Sequence, residues 1–167
     1  MLFRSNDLEH AQQTLEQASA KGLRLDDELG SVYLRLGQQD KARQSFARLS
    51  EIDPNNADAH NQLCKIFWQE GNLDRAKQEC HTAQELDPQF DEPYVTLAQL
   101  AQQQGKGGET SLLLAQAMEL QGRPEAALAQ YQRAAFLLGP DHPKAKELEK
   151  KTEELEELVN EVRRYGK

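Results

Sequence analysis

Aromatic residues make up only 6% of this sequence and proline appears six times, a poor supply for strand-rich sandwiches and barrels with their aromatic-lined sheets and frequent turns. No apolar run approaches the roughly 20 residues that a bilayer-spanning helix needs. The opening Met1-Leu2-Phe3-Arg4-Ser5-Asn6 also lacks the apolar stretch of a secretion signal. Two cysteines, Cys64 and Cys80, are too few for a disulfide framework and are not spaced as CxxC, so a reducing compartment, the cytoplasm by default, is the expectation. Lys and Arg are outnumbered by Asp and Glu, 20 to 28, and the net charge of -8 repels phosphate backbones; nucleic acid is not an expected partner.

What is abundant is charge, at 29% of residues, with a mean hydropathy of -0.82. That is the profile of surface-rich amphipathic helices, and 167 residues suffice for a single soluble domain with a buried core. The helices are arranged with a period. Residues 23–56 and 57–90 align at an offset of 34, pairing Gly37 with Gly71, Ala42 with Ala76, Asp53 with Asp87 and Pro54 with Pro88. Each unit reads as two amphipathic helices joined at a glycine and closed by Asp-Pro, where proline stops the second helix. Small residues are expected where the two helices cross most closely, Gly30 with Ala42 and then Cys64 with Ala76.

Length, glycine, small residues and proline together make these units resemble the tetratricopeptide repeat. Leu29-Gly30, Tyr33, Ala42, Phe46 and Pro54 match its positions in the first unit, and Leu63, Ala76 and Pro88 in the second. The second unit departs from the pattern with Cys64 in place of glycine, Phe67 of tyrosine and Cys80 of phenylalanine; Asp26 and His60 stand where the family often has tryptophan. The resemblance implies an all-α fold, an α-solenoid of helical hairpins. In it Cys64 and Cys80 share the core of one hairpin, as small apolar free thiols, or bridged if the protein is exported.

The period then fails. A third unit starts at Asp91-Glu92-Pro93 and reaches Gly105 on schedule, but the next equivalent glycine, Gly122, follows 17 residues later. The expectation is a half repeat over 91–107 that has lost its second helix, with Lys106-Gly107-Gly108 as a flexible joint and a bend near residue 107. A further unit then fills 108–140, with Thr110 to Gln121 as first helix and Pro124 to Leu138 as second. Residues 1–22, with Leu8, Ala11, Leu15 and Ala18, read as the second helix of a truncated repeat, which suggests a fragment of something longer. Near the other end, LGPDHP at 138–143 resembles the inter-repeat turn of the kinesin-light-chain type of repeat. The charged helix beyond it, within 141–167, carries a narrow stripe of Leu148, Thr152, Leu155, Val159 and Val162. It is either a terminal cap on the last repeat or a seam that docks a second copy, making a homo-oligomer.

No catalytic, cofactor or metal motif is found. His10, His60, His81 and His142 are dispersed along the chain without a two-ligand spacing, and GKGG at 105–108 lacks the full spacing of a phosphate loop. No enzyme activity and no cofactor is expected. The resemblance implies instead that the first helix of each unit lines a groove that holds a protein or peptide partner. In the first unit those positions are Arg24, Asp27, Glu28, Ser31, Leu34 and Arg35; in the second, Asp58, Asn61, Gln62, Lys65, Trp68 and Gln69; in the third, Glu92, Val95, Thr96, Gln99, Gln102 and Gln103. Members that hold the acidic tails of heat-shock chaperones use a Lys and Asn clamp, and Asp27, Ser31, Gln62, Glu92 and Thr96 at its positions argue against such a tail. Amides suit a peptide backbone, and Trp68 is either its apolar anchor or a packing residue. A scaffold or adaptor is the first functional expectation. A regulatory or substrate-recruiting arm of a larger enzyme and a self-assembling scaffold are the alternatives.

Overall fold

The structure, a computed structural model, describes residues 5–165. Among these, nine helices and no strand are found: α1 (Ser5–Ala20), α2 (Asp26–Arg35), α3 (Gln39–Ile52), α4 (Ala57–Gln69), α5 (Leu73–Leu86), α6 (Glu92–Gln103), α7 (Gly107–Leu120), α8 (Pro124–Leu138) and α9 (Ala145–Tyr165). Consecutive helices pack on one another within two compact units, α1 to α5 in the first and α6 to α9 in the second.

In the first unit, α2 pairs with α3 and α4 with α5. Each pair is turned by a glycine in the left-handed region, Gly37 at φ 70° and Gly71 at φ 78°, where a side chain would clash with the backbone. The Gly37 amide donates to the Leu34 carbonyl and the Gln38 amide to that of Tyr33, a double closure that satisfies the last free carbonyls of α2; Gly71 and Asn72 repeat it on α4. The next helix starts cleanly because the Asn56 side chain accepts from the Ala59 amide at 2.9 Å.

The crossing of each hairpin is set by one pair of side chains. A Cβ added to Gly30 would lie 2.7 Å from the Phe46 ring, which is fully buried. Gly30 therefore admits the Phe46 ring, and Ala42 of α3 is fully buried as well. One period later the same two positions hold Cys64 and Cys80, and they are joined as a disulfide, fully buried, with Cα atoms 5.2 Å apart. The free-thiol expectation is thus replaced by a covalent bond at the same crossing. The tryptophan positions are taken over by polar stitches. Asp26 on α2 meets Arg48 on α3 at 3.3 Å, and His60 on α4 meets Glu79 on α5 at 2.7 Å. Tyr33 donates its hydroxyl to Glu16 of α1 at 2.8 Å, and Lys41 of α3 lies 3.6 Å from the same carboxylate, which ties three successive helices together. Burial and that carboxylate push the Tyr33 phenol up to about 12.

In the second unit the Lys106-Gly108 joint is absent. Gly107 and Gly108 form the first turn of α7, and Gly108 is buried against Leu138 of α8, where an added Cβ would sit 2.5 Å from the leucine Cδ2. The broken period has a different cause from a lost helix. The turn at Gly105, with its amide bonded to Gln102 O and that of Lys106 to Ala101 O, is the same closure as at Gly37. So is the turn at Gly122, where Arg123 N bonds to Met118 O. Both ends of α7 thus carry the turn that normally sits inside a hairpin, so α7 is second helix to α6 and first helix to α8. A helix packed on two sides needs apolar residues around most of its girth, and α7 supplies them in its Leu112-Leu113-Leu114-Ala115 run. Pro93 and Pro124 begin α6 and α8, in the first turn where a missing amide costs nothing.

The last helix acts as a cap on α8. Leu148 and Leu155 join Leu112, Ala115, Ala127, Tyr131 and Ala134 in one core cluster, and Val159 is also buried. Tyr131 repeats the three-helix tie of Tyr33. Its hydroxyl donates to Glu119 of α7 at 2.8 Å, and Lys151 of α9 donates to the other oxygen at 2.6 Å. The stripe loses its cover beyond Val159, where Val162 is 49% exposed; Leu158, off the stripe, is 46% exposed.

Two stability effects follow. Alanine in place of a helical glycine normally gains about 1 kcal/mol, but overpacking against a ring that cannot move costs about 1–3 kcal/mol; Gly30→Ala should therefore lower the melting temperature. Gly107→Ala is the control, since its Cβ would meet only Leu137 at 3.5 Å, and it should melt no lower than the parent. The disulfide closes a short loop, with a sequence separation of 16, so Cys64→Ala with Cys80→Ala should destabilise by about 2–4 kcal/mol. Free-thiol titration of the unfolded, unreduced protein should find none.

Candidate protein-binding surface

The structure divides the expected groove residues into three kinds. Glu28, Ser31 and Arg35 on α2, Gln69 on α4, and Gln99 and Gln103 on α6 are exposed. Gln62, Lys65 and Trp68 on α4 are half-buried. Asn61 and Thr96 are buried, at 0% and 4% exposure, and cannot touch a ligand in this conformation. Thr96 bonds its hydroxyl back to the Glu92 carbonyl at 3.3 Å. Periodicity places Asn61 and Thr96 three or four residues from exposed neighbours, but a helix crossed by others on more than one side has a narrower free face than its sequence pattern shows.

Some of the amides already have work within the fold. Gln69 accepts from Gln39 of α3 at 2.8 Å, and Arg43 of α3 meets Glu70 at 3.0 Å, so the start of α3 is stitched to the end of α4. Gln62 donates to Asp58, one turn back on α4, at 3.2 Å. Gln99, Gln103 and Thr96 belong to the second unit and the rest to the first.

Electrostatics show which groups of the first unit share a surface. The Asp27 carboxyl is held above the usual carboxylate range, first by partial loss of water, then by repulsion from Asp58 and from Glu28. Asp27 is on α2 and Asp58 on α4, so the first helices of two successive repeats bring like charges together on one face. That acidic end gives way along α4 to Lys65 and Trp68, about two and three turns further on. Sequence reasoning assigned Asp27 and Asp58 to the groove, but their mutual repulsion needs the fold.

Among the described residues no group of three or more His, Cys, Asp or Glu is placed to hold a metal ion, and no helix is long and apolar enough to cross a membrane. Residues 33–100 match the family model of the tetratricopeptide repeat. This stretch carries tetratricopeptide repeats. No curated protein matches the sequence. Among solved structures the chain is similar to one of MamA protein, at 17% identity with a TM-score of 0.64, over 96% of this chain and 87% of that one. A second MamA crystal structure is 15% identical with a TM-score of 0.62, covering 96% and 94%. MamA MSR-1 is 22% identical over 71% and 70%, with a TM-score of 0.61. At these identities the likeness shows the fold, that of helical hairpins of the α-solenoid class capped by a C-terminal helix.

The crowding of carboxylates gives a sign that can be checked. A carboxyl whose folded pKa is raised contributes stability below its unfolded value and loses it as pH rises through the folded one. At neutral pH the charged Asp27 is therefore unfavourable. Asp27→Asn should raise the melting temperature at pH 7, and the gain should close as the pH falls through the raised folded-state pKa and the carboxyl takes up its proton.

Proposed function

We propose that this chain is a scaffold or adaptor that holds an extended or helical segment of a partner protein along the outward faces of α2 and α4. The observation that carries the reading is the accessibility of Glu28, Ser31 and Arg35 on α2 and of Gln62, Lys65 and Trp68 on α4, the first helices of two successive repeats, with the Asp27 carboxyl of α2 near enough to Asp58 of α4 to be raised by it. Repulsion among these carboxylates is relieved by a cation, so the segment has a basic residue at this end. An apolar residue follows at half-buried Trp68, which offers a large face at little entropic cost. Exposed Glu28, Ser31 and Arg35 on α2 flank the path and offer backbone-directed hydrogen bonds. An acidic tail is disfavoured by the same carboxylates. Partner binding by repeats of this kind needs no cofactor, and the surface contains no nucleophile set beside a base.

The test is affinity capture from a native extract by the parent chain and by a Trp68→Ala, Lys65→Glu variant of equal helicity. A partner retained by the parent should be weakened by at least about 2 kcal/mol in the variant, the scale of a buried aromatic anchor. Equal capture by both moves the binding face away from α4.

A further inference from the structure

At the corner where α7 begins, α8 ends and α9 is about to start, an open cleft of about 530 Å³ lies against the second unit. Its floor is apolar, made by Leu112 of α7 with Leu137 and Leu138 of α8. Gly107 and Gly108, in the first turn of α7, complete its lining, with Gly108 packed directly on Leu138. The floor is not fully covered. Leu137 is 47% exposed, and its neighbour Phe136, on the same last turn, is 85% exposed, so two large apolar side chains stand in water at one helix end.

The rim has the opposite sign to the chain. Around this cleft stand Lys106, His142 and Lys144, against the single acid Glu109, in a protein whose net charge is -8. Glu109 pairs with Lys106 at 3.4 Å, with both side chains about half exposed, and a pair of that kind contributes little and yields readily to a competing carboxylate. The His142 ring accepts the Lys144 amide on Nδ1 at 3.2 Å, so its own proton sits on Nε2 and the ring can donate there even when neutral.

We propose that this cleft is a second docking site, separate from the face of α2 and α4, for an acidic segment of a partner protein that carries a bulky apolar residue. The apolar side chain enters between Leu112, Leu137 and Leu138, and the carboxylates beside it meet Lys106, His142 and Lys144. The charge of the rim chooses this occupant, because a basic segment would meet three donors and one carboxylate already engaged. The segment recognised here is opposite in charge to the one that suits the Asp27 and Asp58 face.

The test titrates the full chain, with nitrogen-15 labelling, against a short synthetic peptide alternating Glu with Leu and Phe, and against its counterpart with Lys for every Glu. Amide shifts at Gly107, Gly108 and Lys144 with the acidic peptide alone support the site. So does a loss of affinity of about tenfold or more in Lys106→Glu, Lys144→Glu and at high salt, where exposed charges are screened. Both substitutions are at exposed positions, and an unchanged circular dichroism melt shows that the variant is folded. Equal binding of the basic peptide, shifts confined to other residues, or unchanged affinity in the charge-reversed variant would overturn the proposal. Concentration-dependent dimerisation abolished by Lys144→Glu would also overturn it, by giving the cleft to a second copy of the chain.

Discussion

Everything in the hairpins depends on how closely two helices approach at one crossing, and that distance is set by a pair of side chains sixteen residues apart. Gly30 gives up its side chain so that the Phe46 ring can lie on its backbone. The next hairpin meets the same requirement with two mid-sized residues and a covalent bond, Cys64 to Cys80. Both solutions fill the same space without a void, and neither tolerates a larger residue on one side alone. Once the crossing is fixed, the surrounding layer follows. The glycine turns close at the same hydrogen bonds, and the polar stitches Asp26–Arg48 and His60–Glu79 fall where the helices diverge enough to leave room for charge.

Much of this was legible before any coordinates. The 34-residue period, the Gly37 and Gly71 turns and the α9 stripe follow from residue spacing, because each is a local event with a local chemical cause. Less legible was whatever depends on a helix having two neighbours. The break in period between Gly105 and Gly122 has the same sequence signature whether a helix is deleted or shared, and only the identical closures at both ends of α7 decide for sharing. Gly107 and Gly108 look like a flexible joint for a similar reason. Glycine serves both for freedom and for close approach, and the Leu138 side chain that makes it the latter is thirty residues away in sequence. The buried state of Asn61 and Thr96 is another case of a face covered from a direction that helical periodicity does not encode.

The charge pattern of the chain is also more structured than its total. A net charge of -8 describes a molecule that repels anions, yet the carboxylates and the cations are sorted. Asp27, Glu28 and Asp58 gather on one face of the first unit, and Lys106, His142 and Lys144 around one corner of the second. Tyr33 and Tyr131 each hold one partly exposed carboxylate, Glu16 and Glu119, between helices, with Lys41 and Lys151 beside them. Those acids are occupied with folding, and the acids left for recognition are fewer than composition suggests.

The Cys64–Cys80 bond changes how the chain would respond to being pulled. A stretching force applied through the backbone enters α4 at its start and leaves α5 at its end, and the bond carries it directly across the hairpin. The second half of α4, the Gly71 turn and the first part of α5 lie in a loop that bears no tension, with a sequence separation of 16 between the bonded residues. At about 3.3–3.6 Å per extended residue, this withholds on the order of 50 Å of contour from the stretched chain. Trp68 and Lys65 lie inside that shielded loop. Under load the face of α4 would therefore be sheltered from direct extension, while the hairpin of α2 and α3, held at its crossing by packing alone, could be drawn out along its full length.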